Sequence, residues 1–267
     1  MESLVNKIKS KKYSSLADEV IEQEINTFIR KNQKAKDKEI IKGVKERLHK
    51  IYGSFQVKKK KKRDVLLEEL KKSPNSIDQH RKILETNLST KERLKAYNTL
   101  YYRIFQITGQ PKSILDIGSG INPISYPFLE CSPKYLSLEI DQEDVDFVNK
   151  YFKIKGIKGK AELKAINKNN IKDLPKADIT FLFKIIDPLE SKKSHKFSEQ
   201  LLTELKSKYI VASFSTKTVS NKMMKYPRRK WFEIMLRRIN YKFRVVRTQN
   251  EFYYVIQKSL LIKKIKN

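Results

Sequence analysis

The stretch Ser113-Ile-Leu-Asp-Ile-Gly-Ser-Gly-Ile-Asn122 constrains the fold more than any other part of the chain. Ser113 to Ile117 is a short, largely apolar run, and it stops in Gly118-Ser119-Gly120. The whole chain has 7 glycines, so two of them two residues apart mark a tight turn or a close approach. At the end of a buried strand, such a turn offers backbone N–H groups to a ligand with no Cβ in the way.

The remainder agrees with a strand at this point. Residues 135–140, 161–166, 178–183 and 209–214 read as further strands, and 142–155 and 196–207 as helices between them. This alternation implies a parallel sheet with helices on both faces. The tail reads as a helix near 227–239, then two strand-like runs, 243–247 and 252–257, forming an antiparallel hairpin at the sheet edge. Upstream, the signals are helical. Leu16, Val20, Ile21, Phe28 and Ile29 share one face. A second stripe runs over 37–52, a short helix over 64–72, and Ser76-Ile-Asp-Gln79 caps another. Ser89-Thr-Lys-Glu92 reads as a capping box for one long helix to about Thr108, ended by Gly109-Gln-Pro111. The expected class is α/β, a Rossmann-like domain over 87–267 preceded by an all-helical domain over 1–86.

Charge narrows the partners. The chain of 267 residues carries 59 Lys and Arg against 30 Asp and Glu, a formal net charge of +29. A surplus of that size points to a polyanion, with nucleic acid ahead of an anionic membrane surface. Lys58, Lys59, Lys60, Lys61, Lys62 and Arg63 form the densest basic run and are candidate phosphate contacts. Cys131 is the single cysteine, which excludes a disulfide framework and a cysteine zinc site. His49, His80 and His195 lack metal-ligand spacing, so no metal is expected. No run has the length or apolarity of a membrane span, and no N-terminal stretch looks like a signal peptide, so a cytoplasmic protein is expected.

In a doubly wound sheet, ligands sit at the carboxyl ends of the strands. Glu139 lies 19 residues after Gly120, at the end of the second strand, where an acid would hold ribose hydroxyls. Pro123 stands where a dinucleotide-binding pattern needs its third glycine, and no G-x-x-x-x-G-K occurs. The form Asp116-x-Gly118-x-Gly120 with a following acid resembles the first two motifs of class I S-adenosylmethionine-dependent methyltransferases.

The resemblance sharpens over several segments: Ser89-Thr-Lys-Glu-Arg-Leu94, Leu115-Asp-Ile-Gly-Ser-Gly-Ile-Asn-Pro123, Phe181-Leu-Phe-Lys-Ile-Ile-Asp-Pro-Leu-Glu190, Ser213-Phe-Ser-Thr-Lys-Thr218 and Trp231-Phe-Glu233. With Lys12-Tyr13 and Val44-Lys-Glu-Arg-Leu-His-Lys-Ile-Tyr-Gly-Ser-Phe55 upstream, they resemble the aminoglycoside-resistance 16S rRNA methyltransferases, the ArmA/RmtB/FmrO family, over nearly the whole chain. The resemblance implies transfer of a methyl group from S-adenosylmethionine to guanine N7 in the decoding region of small-subunit rRNA. The free rRNA or the 30S subunit would be the partner, the enzyme a monomer, and the helical N-terminal domain an RNA dock. Departures are Ser119 where the family usually has Cys, Ser215 where it usually has Pro, and a reduced Ser220-Asn-Lys-Met-Met224 stretch.

The site expected on this basis holds the cofactor with Arg93, Asp116, Gly118, Ser119, Gly120, Glu139, Ile140, Asn167, Phe183 and Lys184. No general base is expected, because guanine N7 carries a lone pair and no proton. Lys184, Phe214 and Trp231 are the substrate-side candidates, with Tyr226, Phe105 and Tyr126 as further aromatics for a flipped base. Lys91, Lys217, Arg228, Arg229 and Lys230 join the basic run as RNA contacts. Two other readings of the same residues are a methyltransferase acting on another rRNA or tRNA base, and a non-catalytic ribosome-assembly factor that kept the fold.

Overall fold

The computed structural model describes residues 1–9, 11–53, 58–190, 195–218 and 222–258. It opens with helices α1 (Glu2–Ile8), α2 (Asp18–Lys31) and α3 (Asp37–Leu48), and α3 runs into a π-helical turn, His49–Gly53. Asp18 and Glu19 in the first turn of α2 suit the helix dipole, and Val20, Ile21 and Ile25 turn its apolar stripe inward. The lysine run 58–62 makes a 3-10 turn leading into α4 (Arg63–Lys72) and α5 (Ile77–Leu84). Ser76 caps α5 by accepting from the Gln79 N–H at 3.3 Å.

The single long helix expected from residue 89 is two helices, α6 (Leu88–Arg93) and α7 (Tyr97–Thr108). Asn87 is the cap, not Ser89: its Oδ1 accepts from the N–H groups of Ser89 and Thr90 at 3.0 and 3.4 Å. The Thr90 hydroxyl is committed elsewhere, donating to the Leu84 carbonyl. The first helix ends at Arg93, and the second starts at Tyr97.

Five parallel strands follow: β1 (Ser113–Ile117), β2 (Lys134–Glu139), β3 (Gly159–Leu163), β4 (Ala177–Phe183) and β5 (Ser207–Ser215). Between them lie α8 (Gln142–Lys155), α9 (Ile186–Leu189) and α10 (Lys196–Glu204). Helix α11 (Lys230–Arg238) leads to the hairpin β6 (Lys242–Arg247) and β7 (Glu251–Gln257). The sheet order is β3-β2-β1-β4-β5-β7-β6, with β7 antiparallel to β5 and β6. The third strand starts and ends earlier than the expected 161–166. Gly159 pairs with Tyr135, and beyond Leu163 the chain leaves the ladder after Lys164 donates to the Glu139 carbonyl at 2.8 Å.

Alternate side chains of the sheet feed two cores. Ile114, Tyr135, Phe181 and Val211 pack with Tyr97 and Tyr101 of α7 and with Leu67, Leu70, Ile83 and Leu84 of α4 and α5. Leu115, Ile117, Leu182 and Phe214 pack on the other side with Phe232 and Leu236 of α11. Each large apolar side chain buried this way is worth about 1.5–3 kcal/mol. Residues 5–52 gather in a third cluster of their own, which takes in only Ala165 from the α/β part at its centre.

Candidate functional site

The turn after β1 has the geometry its glycines imply. Gly118 and Gly120 lie at φ +63° and +50°, in the left-handed region that disfavours a Cβ. A Cβ on Gly118 would sit 2.3 Å from Ile185 Cδ1. The Glu139 carboxylate faces this turn. One oxygen accepts from the Gly120 N–H at 2.6 Å and the other from its own neighbour, the Ile140 N–H, at 2.7 Å. Burial, reinforced by the nearby Asp144 charge, pushes the Glu139 carboxyl up to about 7 against the pull of those two N–H groups.

Asp116 sits beneath the turn rather than in it. It accepts from Tyr135 Oη at 2.6 Å and from Asn122 Nδ2 at 2.8 Å, both through Oδ2. Its Oδ1 is buried with no partner. Burial raises this carboxyl to about 6, although Tyr135 and Asn122 stabilise its ionised form. Asp116 thus braces the turn from below. Ser119 is tied inward too, its hydroxyl 2.5 Å from Ser137 Oγ.

A cleft of about 410 Å³ opens over the turn, at the carboxyl ends of β1, β2 and β4. Gly118, Ser119, Gly120, Glu139, Ile140, Phe183, Lys184 and Arg93 all line it, as expected. Asn167 does not: its amide donates to Glu19 at 3.0 Å and its Oδ1 accepts from the Asn169 N–H at 2.9 Å. Lys164, Ala165 and Ile166 take that part of the wall. The opposite wall comes from the N-terminal helices, with Val20, Glu24 and Phe28 of α2 and Gly43, Val44 and Arg47 of α3. The sequence places no cleft residue there.

Arg93 is buried, not at the surface where RNA would meet it. Its Nε donates to Glu251 Oε1 at 2.8 Å, Nη1 donates to Asn122 Oδ1 at 3.1 Å, and its guanidinium lies 4.9 Å over the Phe183 ring. Lys184, held at φ +57°, pairs with Glu92 and lies 3.5 Å from Glu251 Oε1. Ser213 donates to Glu251 Oε2 at 2.6 Å. Burial penalises the Glu251 carboxylate, but Arg93, Lys184 and Ser213 outweigh it and hold the group below the usual carboxylate range. Glu251 is absent from the residues expected on sequence. Its signal is an acid heading an otherwise apolar strand, which only a cationic partner makes tolerable.

Several expected RNA contacts are corrected. Arg63 is buried and bonds to Thr86 and Asp144. Lys60 turns inward to Asp141, Glu143 and Asp144 at 2.6, 3.0 and 3.3 Å. Tyr52 also donates to Asp141. These contacts fasten the chain around residue 60 to the segment that follows Glu139. Lys61 and Lys62 are exposed, and the side chains of Lys58 and Lys59 lie outside the described residues. Lys91 and Lys230 are exposed and Lys217 half-buried. Arg228 pairs with Glu233, and Arg229 donates to Asp187 at 2.9 Å. Phe214 is 1% exposed and belongs to the core, so it offers no stacking face. Trp231 is half-buried, and one of its faces is covered by His195 at a centroid distance of 3.7 Å. Phe105 and Tyr126 pack against the core, whereas Tyr226 is 76% exposed. In the reduced stretch 220–224, Ser220 and Asn221 lie outside the described residues.

The cleft fits a nucleoside-bearing cofactor. A buried carboxylate faces the turn, two cations lie at one end, Ile140 and Ile166 provide apolar wall, and the glycines leave room for close approach.

Comparison with known proteins agrees. The family model described as Ribosomal RNA methyltransferase (FmrO) matches residues 9–255. A 16S rRNA (guanine(1405)-N(7))-methyltransferase of Micromonospora echinospora is 27% identical over 228 residues, covering 82% of each chain. The enzyme of the same description from Proteus mirabilis is 28% identical over 204 residues, covering 69% of this chain and 71% of its own. Among solved structures, the 16S rRNA methyltransferase RmtF in complex with S-adenosyl-L-homocysteine superposes with a TM-score of 0.81 at 22% identity, covering 97% of this chain and 98% of its own.

Proposed function

This chain belongs to the FmrO family of ribosomal RNA methyltransferases, and from that premise we propose that it methylates guanine N7 in the decoding region of small-subunit rRNA, using S-adenosylmethionine. The observation that carries the reading is the buried Glu139 carboxylate bonded to the Gly120 N–H at the floor of the cleft. Relatives named for the same reaction support the choice of base. A ribosomal substrate implies work in the cytoplasm. No helix among the described residues is long and apolar enough to cross a membrane.

Glu139 would receive the ribose hydroxyls, Arg93 and Lys184 would face the amino-acid carboxylate, and Ile140 and Ile166 would flank the adenine. When bound, the cofactor supplies an electrophilic methyl group on a sulfonium. The guanine brings a lone pair and loses no proton, so no side chain of the cleft has to act as a base. What remains for the protein is alignment, exclusion of water and charge balance. The Glu92 and Glu251 carboxylates neutralise the two cations in advance, so the cleft wall is preorganised. Lys184, at the rim of β4, stands where the flipped base would enter.

The test is to incubate 30S subunits and free 16S rRNA with the protein and methyl-labelled cofactor, then map modified nucleotides by mass. One 7-methylguanosine in the decoding region is expected. Label on an exocyclic amine or on another base, or no label at all, would overturn the reading.

A further inference from the structure

Lys60 and Arg63 of the basic run are turned inward, yet the surface still carries cations without a carboxylate partner among the described residues, and several concentrate in one place. A groove of about 440 Å³ lies between α6, α7 and the turn joining β6 to β7. Lys91, Lys95, Arg103 and Arg247 line it, and all four are exposed. None of the four forms an ion pair with a carboxylate among the described residues. Among those residues Glu92 is the one acid lining the groove, and Lys184 already neutralises it. Arg103 Nη1 donates to the Arg247 carbonyl at 3.1 Å, so the helix and the hairpin are joined as one surface.

The groove adjoins the catalytic cleft. Helix α6 is their common wall: Ser89 and Arg93 face the cleft, while Lys91 and Glu92 face the groove. The Lys184–Glu92 pair connects the two cavities, because Lys184 lines one and Glu92 the other. Four like charges gathered without counter-ions repel one another; the phosphates of a linear polyanion would neutralise them, and the condensed counter-ions released in exchange favour binding. The concave shape suits a strand laid along it, not a flat lipid surface.

We propose that this groove carries the phosphate backbone of the substrate RNA next to the nucleotide that enters the cleft. The proposal rests on the reading of the protein as an rRNA methyltransferase, and it assigns RNA contact to Lys95, Arg103 and Arg247. It also explains why the cleft and the groove share a wall: a strand held in the groove is delivered to Lys184.

The experiment compares three full-length proteins for binding to 16S rRNA over a series of salt concentrations, with cofactor affinity measured on each by calorimetry. They are the wild type, the triple variant Lys95→Ala, Arg103→Ala, Arg247→Ala, and a control triple Lys153→Ala, Lys158→Ala, Lys176→Ala. The control residues are exposed and lie near the amino ends of β3 and β4, away from the groove. The groove variant is expected to lower the log–log salt slope by about 2–3, from roughly 0.7–0.9 for each phosphate that is no longer neutralised. Its cofactor affinity should match wild type, which shows that the fold is intact, and its methyl transfer at limiting RNA should fall with the binding. A groove variant with wild-type RNA affinity and slope would overturn the proposal while leaving the enzyme reading untouched. Equal weakening in the control triple would overturn it too, since diffuse charge would then suffice. A wild type that neither binds nor methylates small-subunit RNA would overturn both.

Discussion

Lowering the pH should weaken cofactor binding through Glu139, and the structure sets the size of the effect. Its carboxyl is raised to about 7 by burial and by Asp144, yet hydroxyl donors need it ionised. With a midpoint near 7, roughly nine-tenths of the molecules are competent at pH 8 and one-tenth at pH 6, so the apparent Kd rises about tenfold over that interval. The same shift opposes folding. A carboxyl raised from 4.5 to about 7 is best tolerated protonated, so stability is fullest below the unfolded value and is lost as pH rises through the folded value. At about 1.4 kcal/mol per unit, the decline approaches about 3 kcal/mol. Calorimetric titration with S-adenosylmethionine at pH 6, 7 and 8 reads the first effect, and thermal unfolding over pH 4–8 reads the second. Glu139→Gln should bind weakly and lose both slopes, which separates this group from Asp116 and from the ligand's own amine. A flat wild-type profile, or a Gln variant with the wild-type profile, would refute the assignment.

Removing Glu251 strands Arg93 as a buried cation, while Lys184 keeps Glu92, so Glu251→Ala should cost about 3–5 kcal/mol. At about 2–4 °C per kcal/mol, calorimetry should show a melting temperature lower by about 10 °C, and an unchanged one would contradict the pairing. Arg63→Ala should cost somewhat less, because Asp144 loses its buried partner but keeps Lys60 at 3.3 Å, while rRNA affinity of the folded protein stays within about twofold. Lost RNA affinity at unchanged stability would instead return Arg63 to the interface. Gly118→Ala should cost about 1–2 kcal/mol of backbone strain and reduce cofactor affinity, since its Cβ meets Ile185 at 2.3 Å. Combining it with Ile185→Ala should recover part of the binding in the same titration, and no recovery would mean that the clash is not the cause.

The sheet was legible because its signals are local. The run at β1, the glycine turn and the acid 19 residues later define where the cleft must be, and the hairpin at the edge follows from its two apolar runs. Partners were less legible, because pairing is set by tertiary approach. Nothing near Lys60 in sequence says that Asp141 and Asp144 will meet it, so an inward latch and a solvated basic run read alike. Arg93 and Glu251 are 158 residues apart, and neither alone reveals that the other is buried beside it. The capping of α6 failed for a narrower reason: Asn87 and Ser89 are both good caps, and in the fold Asn87 accepts from the Ser89 and Thr90 N–H groups. The wall supplied by α2 and α3 left no trace, since an apolar stripe looks the same over a core as over a cleft.

The inward use of Lys60 and Arg63 changes what the charge surplus means. Both face Asp144, and Asp144 is the charge that, after burial, most raises the Glu139 carboxyl. Tyr52 and Lys60 also hold Asp141, which caps α8 by accepting from the Glu143 N–H at 2.9 Å directly after the cofactor strand. Lys60 and Arg63 thus tie residues 60–63 to the acids that follow Glu139, and the N-terminal helices form the facing wall of the same cleft. An element that reads in sequence as a separate RNA dock lines, in the folded chain, one wall of the cleft over the glycine turn.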